Sequence, residues 1–472
     1  MKNKIVYKYI GKVLIVFSFL LSFPIIISLI YNEPLFPFLV PQLISLSLGI
    51  VLNSINTDSE IIYAKDGFEI VAISWIIISI IGAIPLYING DASFIDSIFE
   101  TVSGFTTTGA TIFKNVETLN KSILFWRSFS HFIGGMGVLT FVMVIVPLSR
   151  NDKSMHLLKA EMPGPSVGKL VPSIKKTLIY LYGIYLYLTL LEIILLLFGG
   201  MDLFTSTLIS FSTAGTGGFS ILNTSLATYP VFCKYIVAVF MLLFGVNFNI
   251  YFLVLMGKFK SALKSEELRV YIFIYVFAVI FVFLNTITMF NSISEAFLES
   301  TFHISSIMTS TGFSIGNINI YPTSSRVLCL ILMIISACAG STCGGIKVSR
   351  LIIAFKTIKR ELKKLIHPNS VQVIVFEGKK VSDEIVRSSN TFLFLYAILI
   401  ILIIFIVGFD GFSIETTINA VFTTFANVGL SFNISNFAEF SILSKIVLSI
   451  GMLLGRLEIF PILVLFTDWK RK

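Results

Sequence analysis

The sequence predicts an all-α membrane protein: two N-terminal transmembrane helices, then four tandem repeats of span, short helix and span, about ten spans in all. Three observations carry this. The first is composition: of 472 residues 56% are hydrophobic and 13% charged, with a mean hydropathy of +0.92, whereas soluble domains carry about 25% charged residues. The second is the recurrence of apolar runs near the roughly 20 residues that a bilayer-crossing helix needs. The third is a Gly-centred loop that returns four times, the mark of a repeat architecture.

Two spans come first, near Val13–Tyr31 and Leu35–Ile55, and form an N-terminal domain of residues 1–60. The first of them has no small-residue cleavage site, so it reads as a retained span rather than a signal peptide. Eight spans follow in pairs. Phe68–Ile88 and Ser122–Leu148 belong to repeat one (61–150), Lys176–Phe198 and Pro230–Met256 to repeat two (151–260). Val270–Phe290 and Val327–Ile353 belong to repeat three (261–368), Thr391–Phe409 and Ser441–Phe466 to repeat four (369–472).

The net charge is +9, yet it does not call for a nucleic-acid partner. Most of the 35 Lys and Arg lie in alternate inter-span segments: Lys2 to Lys12, Lys65, Arg150 to Lys176, Lys258 to Arg269, Lys347 to Arg387, and Lys470 to Lys472. Basic loops stay cytoplasmic, so both termini are expected inside. Trp126 and Trp469 are expected near the membrane interfaces, where membrane aromatics gather. Cys233, Cys329, Cys338 and Cys343 all fall in predicted spans and read as small apolar packers.

After the first span of each repeat comes a semi-apolar stretch of about a dozen residues, too short to cross a bilayer and so read as re-entrant. The four endings are Thr107-Thr108-Gly109-Ala110-Thr111, Gly215-Thr216-Gly217-Gly218-Phe219, Ser310-Thr311-Gly312-Phe313-Ser314 and Asn427-Val428-Gly429-Leu430-Ser431. The aligned glycines are read as Gly109, Gly217, Gly312 and Gly429. Irregular backbone at membrane depth is tolerated only where it is buried in protein or lines a watery cavity. Four such loops can share one central pore. A dehydrated cation there needs oxygens in place of its water, and rings of backbone carbonyls supply them. Gly permits the backbone angles that such a turn requires. Acidic residues near the short-helix starts, Asp96, Asp202, Glu295 and Glu415, fit helices whose partly negative C-terminal ends face the ion. The expected ion-contacting positions are Thr108, Gly109, Thr216, Gly217, Thr311, Gly312, Val428 and Gly429. One Gly per loop, against two in Thr-Val-Gly-Tyr-Gly of potassium channels, predicts a shorter filter of less strict selectivity.

With these loops the chain resembles the Trk/Ktr/HKT superfamily of potassium transporters. Further segments narrow the resemblance to the TrkH type: Ser103-Gly104-Phe105-Thr106-Thr107-Thr108-Gly109-Ala110-Thr111, Gly134-Gly135-Met136-Gly137, Ala160-Glu161-Met162-Pro163-Gly164-Pro165, Ala339-Gly340-Ser341-Thr342-Cys343-Gly344-Gly345-Ile346-Lys347 and Gly455-Arg456-Leu457-Glu458. The two extra N-terminal spans are typical of that type. The fourth filter is the loosest match, at Val428 and Leu430. The resemblance implies potassium uptake at the bacterial cytoplasmic membrane, as a symporter or driven by membrane potential alone, with no cofactor besides the transported ion. It also implies a homodimer and a cytoplasmic ring of nucleotide-binding, TrkA-like regulatory subunits. The alternative function is a sodium-preferring or non-selective transporter of the same fold. In plant relatives that carry sodium the first filter Gly is Ser; here it is Gly109.

Two elements lie after the filters. Ser336-Ala337-Cys338-Ala339-Gly340-Ser341-Thr342-Cys343-Gly344-Gly345 interrupt the second span of repeat three, with Gly340, Ser341, Thr342, Gly344 and Gly345 as the candidate gate residues. Either they let helices pack closely, as small residues do, or they form an unwound loop that blocks the path; the resemblance implies the second. Arg456 lies inside the last span, and an intramembrane charge is costly. Either it forms a structural ion pair, with Glu458 or a distant carboxylate, or it projects into the pore as part of the gate; again the resemblance implies the second. Glu100 reads as a brace for the first filter, and His303 as a packed core residue or a proton carrier. Glu161 with Pro163-Gly164-Pro165 reads as a partner contact or a turn. Gly340 to Lys347 fails the phosphate-binding pattern because Ile346 intervenes and Val348 follows. No nucleotide fingerprint, zinc-hydrolase motif or paired catalytic carboxylates point to an enzyme, and no span carries the Arg ladder of a voltage sensor.

Overall fold

The computed structural model describes residues 4–57, 63–137, 174–370, 372–434 and 436–466. The described residues are predominantly helical, with one antiparallel hairpin pairing Val375–Phe376 with Lys379–Lys380. Six helical segments are long and apolar enough to cross a membrane: Lys4–Ile30, Phe36–Asn53, Lys65–Ile88, Thr177–Phe198, Glu266–Met289 and Asp383–Asp410. The first two are the N-terminal pair; the other four open the four repeats and are called outer helices below. Their exposed side chains are large and apolar at helical spacing, as with Phe273, Phe277, Ile280 and Leu284 or Phe394, Ile398, Ile401 and Phe405. Such a surface suits hydrocarbon rather than water.

The second, inner helix of each repeat is shorter than the sequence reading or is broken. Repeat one has Lys121–Gly135, and the rest of its expected span to Leu148 lies outside the described residues. In repeat two Val231–Gly245 and Phe248–Leu255 meet at a 91° bend, where a continuous span was expected. The bend is held because Phe248 N–H bonds the Gly340 carbonyl, a partner from repeat three. In repeat three Thr323–Ile334 and Val348–Ile366 flank a non-helical stretch. In repeat four Ile442–Arg456 and Phe460–Leu465 are separated by Glu458 and Ile459, both with positive φ. Between repeats two and three the backbone leaves the helical path where each supplies the other a hydrogen-bond partner, Gly340 O for Phe248 N–H and Gly245 O for Cys338 N–H, which pattern reading cannot anticipate.

Between outer and inner helices sit the four short helices, Phe94–Phe105, Leu203–Gly215, Ile293–Met308 and Ile414–Phe425. Each begins with a side-chain cap. Ser93, Asp202, Ser292 and Ser413 accept the N–H of Asp96, Thr205, Glu295 and Thr416 respectively. The acidic residues thus occupy the positive ends, and the negative ends lead into the Gly loops. Trp126 departs from expectation. It is buried against Phe17, Phe38 and Phe105, and its indole N–H bonds the Gly82 carbonyl at 3.0 Å, so it ties the N-terminal pair to repeat one instead of marking an interface. Trp469 and the segment Ala160 to Pro165, Glu161 included, lie outside the described residues.

Candidate functional site

Each short helix ends in the same three-residue turn. A residue in the left-handed region comes first: Thr107, Thr216, Ser310 and Asn427, with φ of 55°, 55°, 52° and 56°. The next residue sends its N–H back to the helix, from Thr108 to Ser103, Gly217 to Ser212, Thr311 to Ser306 and Val428 to Thr423, each at 2.8 Å. A glycine of positive φ follows: Gly109, Gly218, Gly312 and Gly429, at 79°, 77°, 84° and 77°.

The glycines are fixed by their neighbours as well as by φ. A Cβ on Gly109 would lie 1.9 Å from the Gly217 carbonyl oxygen, and one on Gly218 2.0 Å from that of Thr311. One on Gly312 would lie 2.0 Å from Val428 O, and one on Gly429 2.2 Å from Thr108 O. The contacts run from repeat one to two, two to three, three to four and four back to one. Four loops therefore close into one ring, each glycine pressed against the carbonyl before the next.

This ring corrects the expected register of repeat two. The residue matching Gly109 is Gly218, not Gly217; Gly217 matches Thr108, and Thr216 ends the helix as Thr107 does. The stretch Gly215-Thr216-Gly217-Gly218 offers three glycines to align, and only the backbone angles separate them. Gly215 itself is the last residue of the short helix, packed on the His131 carbonyl.

Hydroxyls alternate around the ring. Thr108 and Thr311 each share a hydrogen bond with a second Thr, Thr106 at 2.8 Å and Thr309 at 2.7 Å. Gly217 and Val428 offer no hydroxyl at the matching places, and Asn427 Nδ2 instead donates to Thr108 Oγ1 at 2.8 Å. Beyond the glycines the loops turn back. The carbonyls of Phe313 and Leu430 accept from Ser306 and Thr423 on their own short helices at 2.7 Å. Ala110, Phe219 and Phe313 are buried, Ser314 bonds Ser225 and Leu226, and Ser431 bonds Ile434. These contacts tie the residues after the glycines to the surrounding protein.

Glu100 braces the first loop as expected. Its carboxylate accepts the Ile112 N–H at 2.9 Å, the Thr111 hydroxyl at 3.1 Å and Arg127 Nε at 2.8 Å. His303 occupies the same place in repeat three, where it approaches the Ile315 N–H at 3.5 Å and meets the Tyr321 hydroxyl at 2.8 Å. Ile209 and Ala420 stand there in repeats two and four. Sequence reading missed two partners. Arg127 stacks on the Phe219 ring at 4.0 Å and bonds Ser220 O, so it joins loops one and two. His131 Nδ1 donates to Gly104 O at 2.8 Å while Nε2 accepts the Phe219 N–H at 3.3 Å, which fixes its tautomer. Both are polar residues inside an apolar span, the one signal that could have found them.

Residues 335–347 run as a loop against this ring. Its ends are tied together by Ser336 N–H to Ile346 O at 3.0 Å and Val348 N–H to Ala337 O at 3.1 Å. Its middle enters the bend of repeat two, through Cys338 N–H to Gly245 O. Its far side reaches the third Gly loop, where Gly344 N–H donates to Ser310 Oγ at 2.9 Å. A Cβ on Gly344 would lie 2.6 Å from Ala426 O in repeat four. Gly340 and Gly345 both have positive φ. The glycines here make a loop; they do not pack a continuous helix. Lys347 Nζ donates to the Cys343 and Gly344 carbonyls from within.

Arg456 lies at the same place. It donates to Thr342 O of the loop and to Gly134 O and Gly135 O of the first inner helix. Glu458, one partner that the structural alternative offered Arg456, pairs with Arg350. A cavity of about 60 Å³ opens between the loop and the inner-helix ends, lined by Gly135, Gly340, Gly344, Lys347, Arg456 and Glu458 among others.

Known proteins share this chain's sequence and shape. The TrkH family, described as cation transport proteins, matches residues 38–470. The chain is 34% identical over 457 residues to the Trk system potassium uptake protein TrkG of Escherichia coli (strain K12), with 94% of each covered. It is 33% identical to the Trk system potassium uptake protein TrkH of the same organism, covering 98% of this chain and 97% of that one. The solved structure of the potassium transporter TrkH from Vibrio parahaemolyticus superposes with a TM-score of 0.89 at 30% identity, covering 99% of both chains.

Proposed function

The chain belongs to the TrkH family of cation transport proteins, and from that premise we propose that it takes up potassium ions through the centre of the four-loop ring. The family is one of membrane transporters rather than enzymes. The observation that carries the proposal is the closed cycle of contacts from Gly109 to Gly217, Gly218 to Thr311, Gly312 to Val428 and Gly429 to Thr108. It gathers four carbonyls, four helix C-terminal ends and two threonine hydroxyls about one axis, the set that replaces a cation's water. The ion-contacting residues are then Thr108, Gly109, Gly217, Gly218, Thr311, Gly312, Val428 and Gly429. Residues 340–345 with Arg456 form the gate, because they lie directly against the ring and carry a positive charge there.

The finer assignments rest on the family and on charge. The repeats divide as 61–150, 151–260, 261–368 and 369–472 after an N-terminal pair of spans. The protein lies in the bacterial inner membrane with both termini cytoplasmic, since the Lys-rich segments alternate with bare ones. It works as a homodimer on a ring of TrkA-like nucleotide-binding subunits, symporting protons or sodium or following the membrane potential. A less strict, sodium-admitting transporter is the second reading, favoured by Gly217 and Val428 where two hydroxyls are missing from the ring. Potassium and sodium flux in proteoliposomes, with and without a pH gradient, tests the ion and its coupling. Potassium flux well above sodium supports uptake of potassium; equal fluxes favour the second reading; a dependence on the pH gradient identifies proton coupling.

A further inference from the structure

Glu267 stands in the first turn of the third outer helix, Glu266–Thr286, where an acidic residue ordinarily serves the helix N-terminus. It does something else. Its side chain is 2% exposed and its two oxygens serve three separate elements. Oε1 accepts the N–H of Ala339 at 2.7 Å, just before residues 340–345 of the loop, and the N–H of Ser349 at 3.2 Å, where the following helix begins. Oε2 accepts from Asn247 Nδ2 at 3.4 Å, at the bend of repeat two. One carboxylate thus ties both ends of the loop to each other and to the bend that the loop enters.

The N-terminus of the same helix is held from outside. Glu377 Oε1 accepts the Glu267 N–H at 3.0 Å and the Ser265 hydroxyl at 2.8 Å. Glu377 is the exposed turn residue of the hairpin, in the left-handed region beside Gly378. Lys356, on the helix after the loop, donates to Val375 O of the hairpin at 2.7 Å and pairs with Glu266 at 2.5 Å. An exposed hairpin therefore spans the two helices whose first turns the Glu267 carboxylate joins.

We propose that Glu267 is the latch that holds the intramembrane loop against the filter ring, and that the Glu377 hairpin is the handle that seats the latch. The proposal rests on reading residues 340–345 as the gate. Buried carboxylates with several N–H partners make strong, directional contacts, and taking them away frees both ends of the loop at once. Glu267 touches no ion in this account; it is a positioning residue.

The test compares potassium and sodium flux per folded protein, with a melting curve for each variant. The variants are Glu267→Gln, Glu377→Ala and a partial deletion of residues 340–345, alone and combined. Glu267→Gln keeps the side chain's shape and one acceptor, and Glu377 is on the surface, so both are expected to fold. The expected result is a severalfold rise in potassium flux for Glu267→Gln, a smaller rise for Glu377→Ala, an unchanged potassium-to-sodium ratio in both, and no further rise when either is added to the deletion. If the deletion raises flux while both point variants stay at the wild-type level or fall below it, the latch is wrong and the gate stands. If the deletion fails to raise flux, the gate reading falls and the latch with it.

Discussion

Arg456 shows how a single side chain divides two accounts. A unit positive charge about 4 Å from a passing cation costs about 4 kcal/mol at an effective dielectric of about 20. A barrier lowered by about 1.4 kcal/mol raises a rate tenfold. Arg456→Ala is therefore expected to raise potassium flux at least tenfold, and Arg456→Lys to preserve most of the barrier. Among the described residues the partners of Arg456 are backbone carbonyls, those of Thr342, Gly134 and Gly135, and its neighbour Glu458 keeps its own partner in Arg350. Flux per folded protein, measured beside a melting curve, checks this: lower flux with a large loss of melting temperature would make Arg456 a structural residue.

At the scale of the element, the deciding feature is that the inner helices of repeats two and three give way to loop where each feeds the other a hydrogen bond. Deleting part of residues 340–345 should raise flux and leave the ratio of potassium to sodium unchanged, since the filter contacts of Gly109, Gly218, Gly312 and Gly429 lie in other segments. A changed ratio in proteoliposomes would mean that loop and filter are one unit. Much of this level was legible in the sequence. The short helices, the Gly turns and the interrupted third inner span follow from local pattern and composition. What escaped depends on distance along the chain. The 91° bend of repeat two needs the Gly340 carbonyl. The register of Gly218 needs backbone angles that Gly215-Thr216-Gly217-Gly218 does not spell out. Arg127, His131 and Glu267 act across repeats or segments, so no window of sequence shows what they hold.

For the whole molecule the account is a ring with a two-fold alternation. Repeats one and three carry the hydroxyls Thr108 and Thr311 and the polar braces Glu100 and His303, while repeats two and four carry Gly217, Val428, Ile209 and Ala420 at the same places. The orientation of the whole follows from its basic segments: single cysteines placed at Lys2 and Lys472 in a chain whose four native cysteines are replaced should both react with an impermeant reagent only from the cytoplasmic side. Reaction from opposite sides would overturn the topology.

The central claim is that the ring of four glycines selects the ion. It is tested most directly by the potassium-to-sodium flux ratio of the wild-type protein, Gly109→Ser and Gly218→Ser in proteoliposomes. A serine at either place meets a neighbouring carbonyl oxygen at about the distance of a covalent clash, 1.9 Å or 2.0 Å from its Cβ, and takes a backbone conformation that costs about 1–3 kcal/mol outside glycine. The carbonyl ring must reshape. The account predicts a wild-type ratio that favours potassium and a marked fall in both variants. An unchanged ratio in both folded variants would contradict it.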